Sequence, residues 1–261
     1  MAETPPPEPS PRNMGNIHPT GITELYIPSS PVADICFVHG FTGHPERTWR
    51  SKKRDINTEL STEKCPKRKR FPFSHQRGDG LGTSSDASAR PEFMYWPRDL
   101  LPDIVPDARV LTFGYDTNIR HSLNGPISQN RLGDHATDFL SALETCRFQS
   151  TRRPLIFIAH SLGGLLVKDM LRLSKSYENS QPDRYNVYES TASLFFFGTP
   201  HAGADPRNPL HRVLTNITEA VGFRVNKEIV QTLMPRAERS KLLAEDFLKW
   251  TTERDGGIYT F

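Results

Sequence analysis

An apolar run, Ile156-Phe157-Ile158-Ala159, passes directly into His160-Ser161-Leu162-Gly163-Gly164, and a helical pattern begins at once. Few folds accept that junction. The run reads as a strand arriving from the protein interior, and the small residues around Ser161 fit a turn too tight for bulkier side chains. A strand, a sharp turn carrying a serine and a helix N-terminus make up a nucleophile elbow, which lifts the hydroxyl clear of the sheet. The usual pattern is Gly-x-Ser-x-Gly. Ala159 stands at the first glycine position here, a change of one methyl group.

The remaining apolar segments alternate in kind. Asp34 to Val38, Ala108 to Tyr115, Pro154 to Ala159 and Ala192 to Phe197 read as buried strands. Trp96 to Pro102 reads as a short helical turn closed by proline. Asp134 is placed to cap a helix carrying Ala136, Phe139, Leu140 and Leu143 on one face. Leu165, Leu166, Met170 and Leu171 line the helix after the serine. Continuous apolar strands alternating with amphipathic helices predict an α/β fold, a doubly wound and mostly parallel sheet covered on both faces. Reactive groups in such sheets gather at the carboxyl ends of the strands. Three marked loops begin there, after Val38, Ala159 and Phe197.

At neutral pH a serine hydroxyl needs a neighbouring base, and acyl transfer needs N–H donors for the developing oxyanion. The backbone N–H of Leu162 is one expected donor. The loop His39-Gly40-Phe41-Thr42-Gly43 offers the second, with Phe41 the candidate. His39, Gly40, His160 and His201 are expected to line or support the pocket. His160 is expected to pack beneath the turn rather than act as the base. His201 is open to two readings, a contact to substrate or water and a satisfied structural histidine.

Composition narrows the class further. The 261 residues suffice for one large domain, and no stretch approaches the length of a membrane span. Residues 1–20 read as a disordered leader rich in Pro and Glu, without the features of a signal or transit peptide. Cys36, Cys65 and Cys146 are odd in number and widely spaced, which fits a reducing compartment and gives no metal spacing. No metal or organic cofactor is indicated. Residues 50–90 hold eleven Lys/Arg and five Asp/Glu, so the net charge of +3 arises from this one segment. It reads as a disordered basic insertion, most simply a solvated loop, with an anionic-lipid or import role as the alternative and nucleic acid an unexpected partner.

Five ordered motifs carry a resemblance. Phe37-Val38-His39-Gly40, Trp96 to Pro102, Leu111 to Asp116, Ile158 to Gly164 and Phe196 to His201 resemble the α/β-hydrolase domain of the serine-active-site-containing protein family. They are also similar to fungal lipase-like domains and, more distantly, to GPI inositol deacylases. The resemblance spans roughly residues 25–261 apart from the insertion. It implies a serine esterase or lipase acting on a small-molecule ester or lipid substrate, with Ser161 as nucleophile. The reducing compartment read from the cysteines gives the expectation of an intracellular, cytoplasmic setting, and the resemblance adds peripheral contact in some cases at endoplasmic-reticulum or mitochondrial membranes.

In that fold the acid and then the base follow the serine along the chain. Only His201 and His211 do so here, and both come early. Ile258 to Phe261 reads as the start of the strand before the acid. On this reading the last strand or strands, the acid and the catalytic histidine are absent from the sequence. Three explanations follow: a fragment with impaired activity, a non-catalytic interaction or signalling module, and a substitute base such as His201. Residues 209–250 show helical periodicity that fits either a lid or a plain cover for the sheet.

Overall fold

Period-two burial organises the central strands. A computed structural model describes residues 12–40, 43–52, 93–116, 130–199, 201, 247, 250 and 257–261. Strand β1 is Gly21–Tyr26, β2 is Ala33–Val38, β5 is Ala108–Gly114, β6 is Leu155–His160, β7 is Thr191–Phe197 and β8 is Gly257–Thr260. They form one sheet in the order β1-β5-β2-β6-β7-β8, parallel except for the antiparallel β1. Cys36, Val38, Leu111, Phe113, Leu155, Phe157, Ala159, Leu194 and Phe196 enter one core. Their alternates Ile35, Phe37, Val110, Ile156 and Ile158 enter the other. A strand clothed on both faces has no polar side to show, which explains the unbroken apolar runs.

Helices α3 (Asn130–Arg147), α4 (Gly163–Lys175) and α5 (Pro182–Ser190) serve the first core. Trp49, Tyr95 and Trp96 dominate the second, with the short helices α1 (Trp96–Asp99) and α2 (Leu101–Ile104) at its rim. A separate two-stranded sheet pairs β3 (Arg50–Lys52) antiparallel with β4 (Phe93–Tyr95), with Lys52 opposite Phe93.

Several boundaries differ from expectation. Pro102 sits at the beginning of α2 instead of closing the preceding turn, because a first-turn proline has no N–H bond to lose. Helix α3 begins at Asn130, so Asp134 lies inside it, while Ala136, Phe139, Leu140 and Leu143 are all buried as their spacing predicts. Strand β1 and helix α5 carry no marked motif and went unpredicted. Within the expected leader, residues 12–20 are tied down. The Asn13 N–H donates to Leu25 O at 3.0 Å, and the His18 N–H donates to Thr23 Oγ1 at 3.1 Å. Arg50 to Lys52, counted with the insertion, form β3. Residues 53–92 and most of 209–250 lie outside the described residues. Among the described residues no helix is long and apolar enough to cross a membrane.

Candidate functional site

The ends of three adjacent parallel strands build the site. Val38 of β2 pairs with Ala159 of β6, and His160 of β6 pairs with Phe197 of β7. The loops after these strands therefore emerge side by side at the carboxyl edge, as expected. Between β6 and α4 the chain turns through Ser161, whose φ of 53° is the one positive value at a non-glycine among the described residues. That conformation costs about 1–3 kcal/mol and persists only where the surroundings enforce it. The surroundings are visible. The Ser161 N–H donates to Phe197 O at 2.8 Å, and the Gly164 N–H donates to Ser161 O at 3.1 Å. A Cβ on Gly163 would lie 2.3 Å from His39 O, and one on Gly40 would lie 2.8 Å from the Ser161 Cβ. Any side chain at either position would push the two loops apart.

Leu162 is helical in conformation, and its carbonyl accepts from Leu165 and Leu166. Among the described residues its own N–H has no acceptor, as expected of a first-turn amide. It stands one residue from a half-buried serine. Phe41, the other candidate donor, lies outside the described residues.

The four histidine and glycine candidates separate into distinct roles. His39 is fully buried, so it stands behind the loop and not in an open pocket. Its Nε2 accepts the Tyr115 N–H at 3.3 Å, which leaves the proton on Nδ1, 2.9 Å from Gly40 O. Burial lowers its pKa to about 4, so the ring is neutral at physiological pH. Gly40 is the point of contact with the serine turn. His160 is exposed and meets Trp49 edge-on at 6.3 Å, so it sits beside the turn, not packed beneath it. The strand's alternation sends Ala159 inward and His160 outward.

His201 does not approach Ser161 as a base would. Its Nδ1 lies 2.7 Å from Lys168 Nζ, and its ring meets Phe196 edge-on. Burial, with the nearby ammonium, lowers the His201 pKa to about 4, and burial lowers that of Lys168 to about 8. The lysine therefore donates to a neutral imidazole. Lys168 also lies 4.2 Å from the Phe247 ring centroid, a cation–π contact in a desolvated setting. His201 Nε2 and Thr199 Oγ1 are buried and have no hydrogen-bond partner among the described residues. Sequence reasoning missed Lys168, which reads as a solvent-facing helix residue, and Tyr115, which reads only as a strand end. Its position at the same carboxyl edge was the available signal. Among the described residues no cluster of His, Cys, Asp or Glu could hold a metal ion.

A mostly parallel sheet flanked by helices, with a backbone-constrained serine between a central strand and the next helix, defines an α/β-hydrolase fold. Among curated proteins the chain is 29% identical over 174 residues to Protein SERAC1 of Danio rerio, covering 66% of this chain and 22% of that protein. It is 25% identical over 238 residues to Protein SERAC1 of Homo sapiens, covering 90% and 31%. The chain thus spans less than a third of the length of these relatives. Among solved structures it resembles the Bacillus licheniformis lipase BlEst2, with 12% identity, a TM-score of 0.45, and 94% and 72% of the two chains covered. No family model matches the sequence.

Proposed function

We propose that the chain is a serine hydrolase domain in which Ser161 forms an acyl intermediate from an ester, with lipid esters the class implied by its motif resemblance. The observation that carries this is the constrained Ser161 backbone, held at the carboxyl edge of the parallel sheet beside a Leu162 amide that has no acceptor among the described residues. In the first step Ser161 Oγ bonds to the ester carbonyl carbon as its proton passes to a general base. The carbonyl oxygen becomes an oxyanion, for which the Leu162 and Phe41 amides are the expected donors. The C–O bond to the alcohol then breaks, the alcohol leaves with a proton, and water releases the acid from Ser161. Both ring nitrogens of His39 are engaged, and the Lys168 bond to His201 Nδ1 leaves the proton on its Nε2, so neither ring offers a free lone pair to Ser161.

That commitment supports a second reading, a domain that keeps the fold for interaction and lacks turnover. Hydrolysis of p-nitrophenyl esters of short and long acyl chains separates the two. The hydrolase reading expects ester turnover that is lost in Ser161→Ala, and a lipid-directed site favours the longer chain. Turnover equal in wild type and Ser161→Ala contradicts it. A protein without its base retains only oxyanion-hole and binding catalysis, roughly a thousandfold to ten-thousandfold over water.

A further inference from the structure

We propose that Tyr115 is a positioning residue for the oxyanion-side loop, holding His39 by its backbone and its phenol at once. This rests on the reading of Ser161 as nucleophile. Tyr115 follows β5, and His39 follows the adjacent parallel strand β2, in which Val38 pairs with Phe113. Three contacts join the two residues. The Tyr115 N–H donates to His39 Nε2 at 3.3 Å, and the Tyr115 hydroxyl donates to His39 O at 2.9 Å. The two rings stack at 4.4 Å with 8° between their planes.

The clamped groups are the ones that set the loop. His39 O is the first atom that a Cβ on Gly163, at the first turn of α4, would meet, and His39 Nδ1–H donates to Gly40 O. Gly40 in turn lies against Ser161. The phenol therefore fixes the carbonyl of residue 39, and the imidazole fixes the carbonyl of residue 40. With both carbonyls set, the His39–Gly40 backbone that leads into the proposed oxyanion loop is held against the serine turn. Both Tyr115 and His39 are buried, so water does not replace a lost contact readily. Oxyanion stabilisation depends steeply on donor placement, and a displacement of about 1 Å costs on the order of a hundredfold.

Tyr115→Phe removes the hydroxyl and keeps the ring stack and the backbone bond. Tyr26→Phe is the matched control. Tyr26 is also buried, and its hydroxyl donates to a carbonyl, that of Pro106, at 3.0 Å, beside the amino end of β5. Two readouts are compared, the rate of Ser161 phosphonylation by a fluorophosphonate and amide hydrogen exchange of a peptide covering residues 37–44. The proposal expects Tyr115→Phe to slow phosphonylation at least about tenfold and to speed exchange in that peptide, with Tyr26→Phe doing neither. Equal labelling rates in the two variants overturn it, because a merely structural hydroxyl affects both alike. If wild type is not labelled, the nucleophile reading fails by itself. The exchange comparison still decides the clamp, and unchanged exchange in Tyr115→Phe overturns it.

Discussion

The two ends of the parallel sheet are built on opposite principles. At the amino end, Asp34 is fully buried and surrounded by three arginines. Arg109 binds it through two nitrogens at 2.8 and 3.1 Å, Arg153 reaches it at 2.9 Å, and Arg147 completes the set. The arginines find further acceptors. Arg109 also meets Glu24 and the Cys146 carbonyl, and Arg147 meets the carbonyls of Thr151 and Arg153 and the Ser190 hydroxyl. These contacts join β1, β2, β5 and α3 with the turn before β6 and the end of α5. At the carboxyl end the picture reverses: a serine with positive φ and, among the described residues, a Leu162 amide and buried His201 and Thr199 atoms without partners. Satisfied polar networks rigidify a fold, whereas strain and unmet hydrogen-bonding capacity concentrate where a protein acts. On the proposed function, one sheet separates anchoring from chemistry by strand direction.

The sharpest break of that comparison comes from Asp34→Asn. Removing the charge strands three buried or partly buried guanidinium groups, so chemical denaturation should report a loss on the order of 3–5 kcal/mol. The molecules that remain folded should label at Ser161 as wild type does. A change below about 1 kcal/mol denies the amino end its anchoring role.

Acidification probes the other end. Burial is the main cause of the low His39 pKa, with His44, His160 and His135 adding like charge and the bond to Gly40 opposing. In the unfolded chain this imidazole titrates near 6.5, and in the folded chain at about 4. Below pH 6.5 the unfolded chain takes up a proton that the native ring refuses. Native stability therefore falls as pH drops from 6.5 to about 4, by roughly 3 kcal/mol from this group, and levels off below. His39→Asn keeps a donor and an acceptor but does not titrate. The difference in stability between wild type and His39→Asn should shift by that amount across the window, and a flat difference contradicts the assignment.

The smallest effect belongs to the strained serine. Glycine adopts positive φ without penalty, so Ser161→Gly should match or exceed wild-type stability, by about 1 kcal/mol at most. A clear loss of stability means that the turn is not strained.

The sheet was legible because each central strand is apolar throughout, which leaves a parallel, doubly covered arrangement as the physical solution. The serine turn was legible because Ala159, Gly163 and Gly164 are small where loops must touch. What the residues at Lys168, Tyr115 and His39 do was hidden, since it depends on contacts between segments far apart in the chain. A lysine within an amphipathic helix looks solvated until β7 and Phe247 close over it. His39 next to glycine looks like a pocket residue until Tyr115 is seen to occupy its ring. The arginine cluster was equally silent, because Arg109, Arg147 and Arg153 acquire a common partner only once three strand ends meet.

The claim that the carboxyl end is the chemical end is tested most directly by treating the protein with a fluorophosphonate and mapping the adduct by mass spectrometry. The account predicts one phosphonyl group, on Ser161, that is absent from Ser161→Ala and retained in Tyr26→Phe. A folded wild-type protein that takes up no label, or takes it up at another residue, contradicts it.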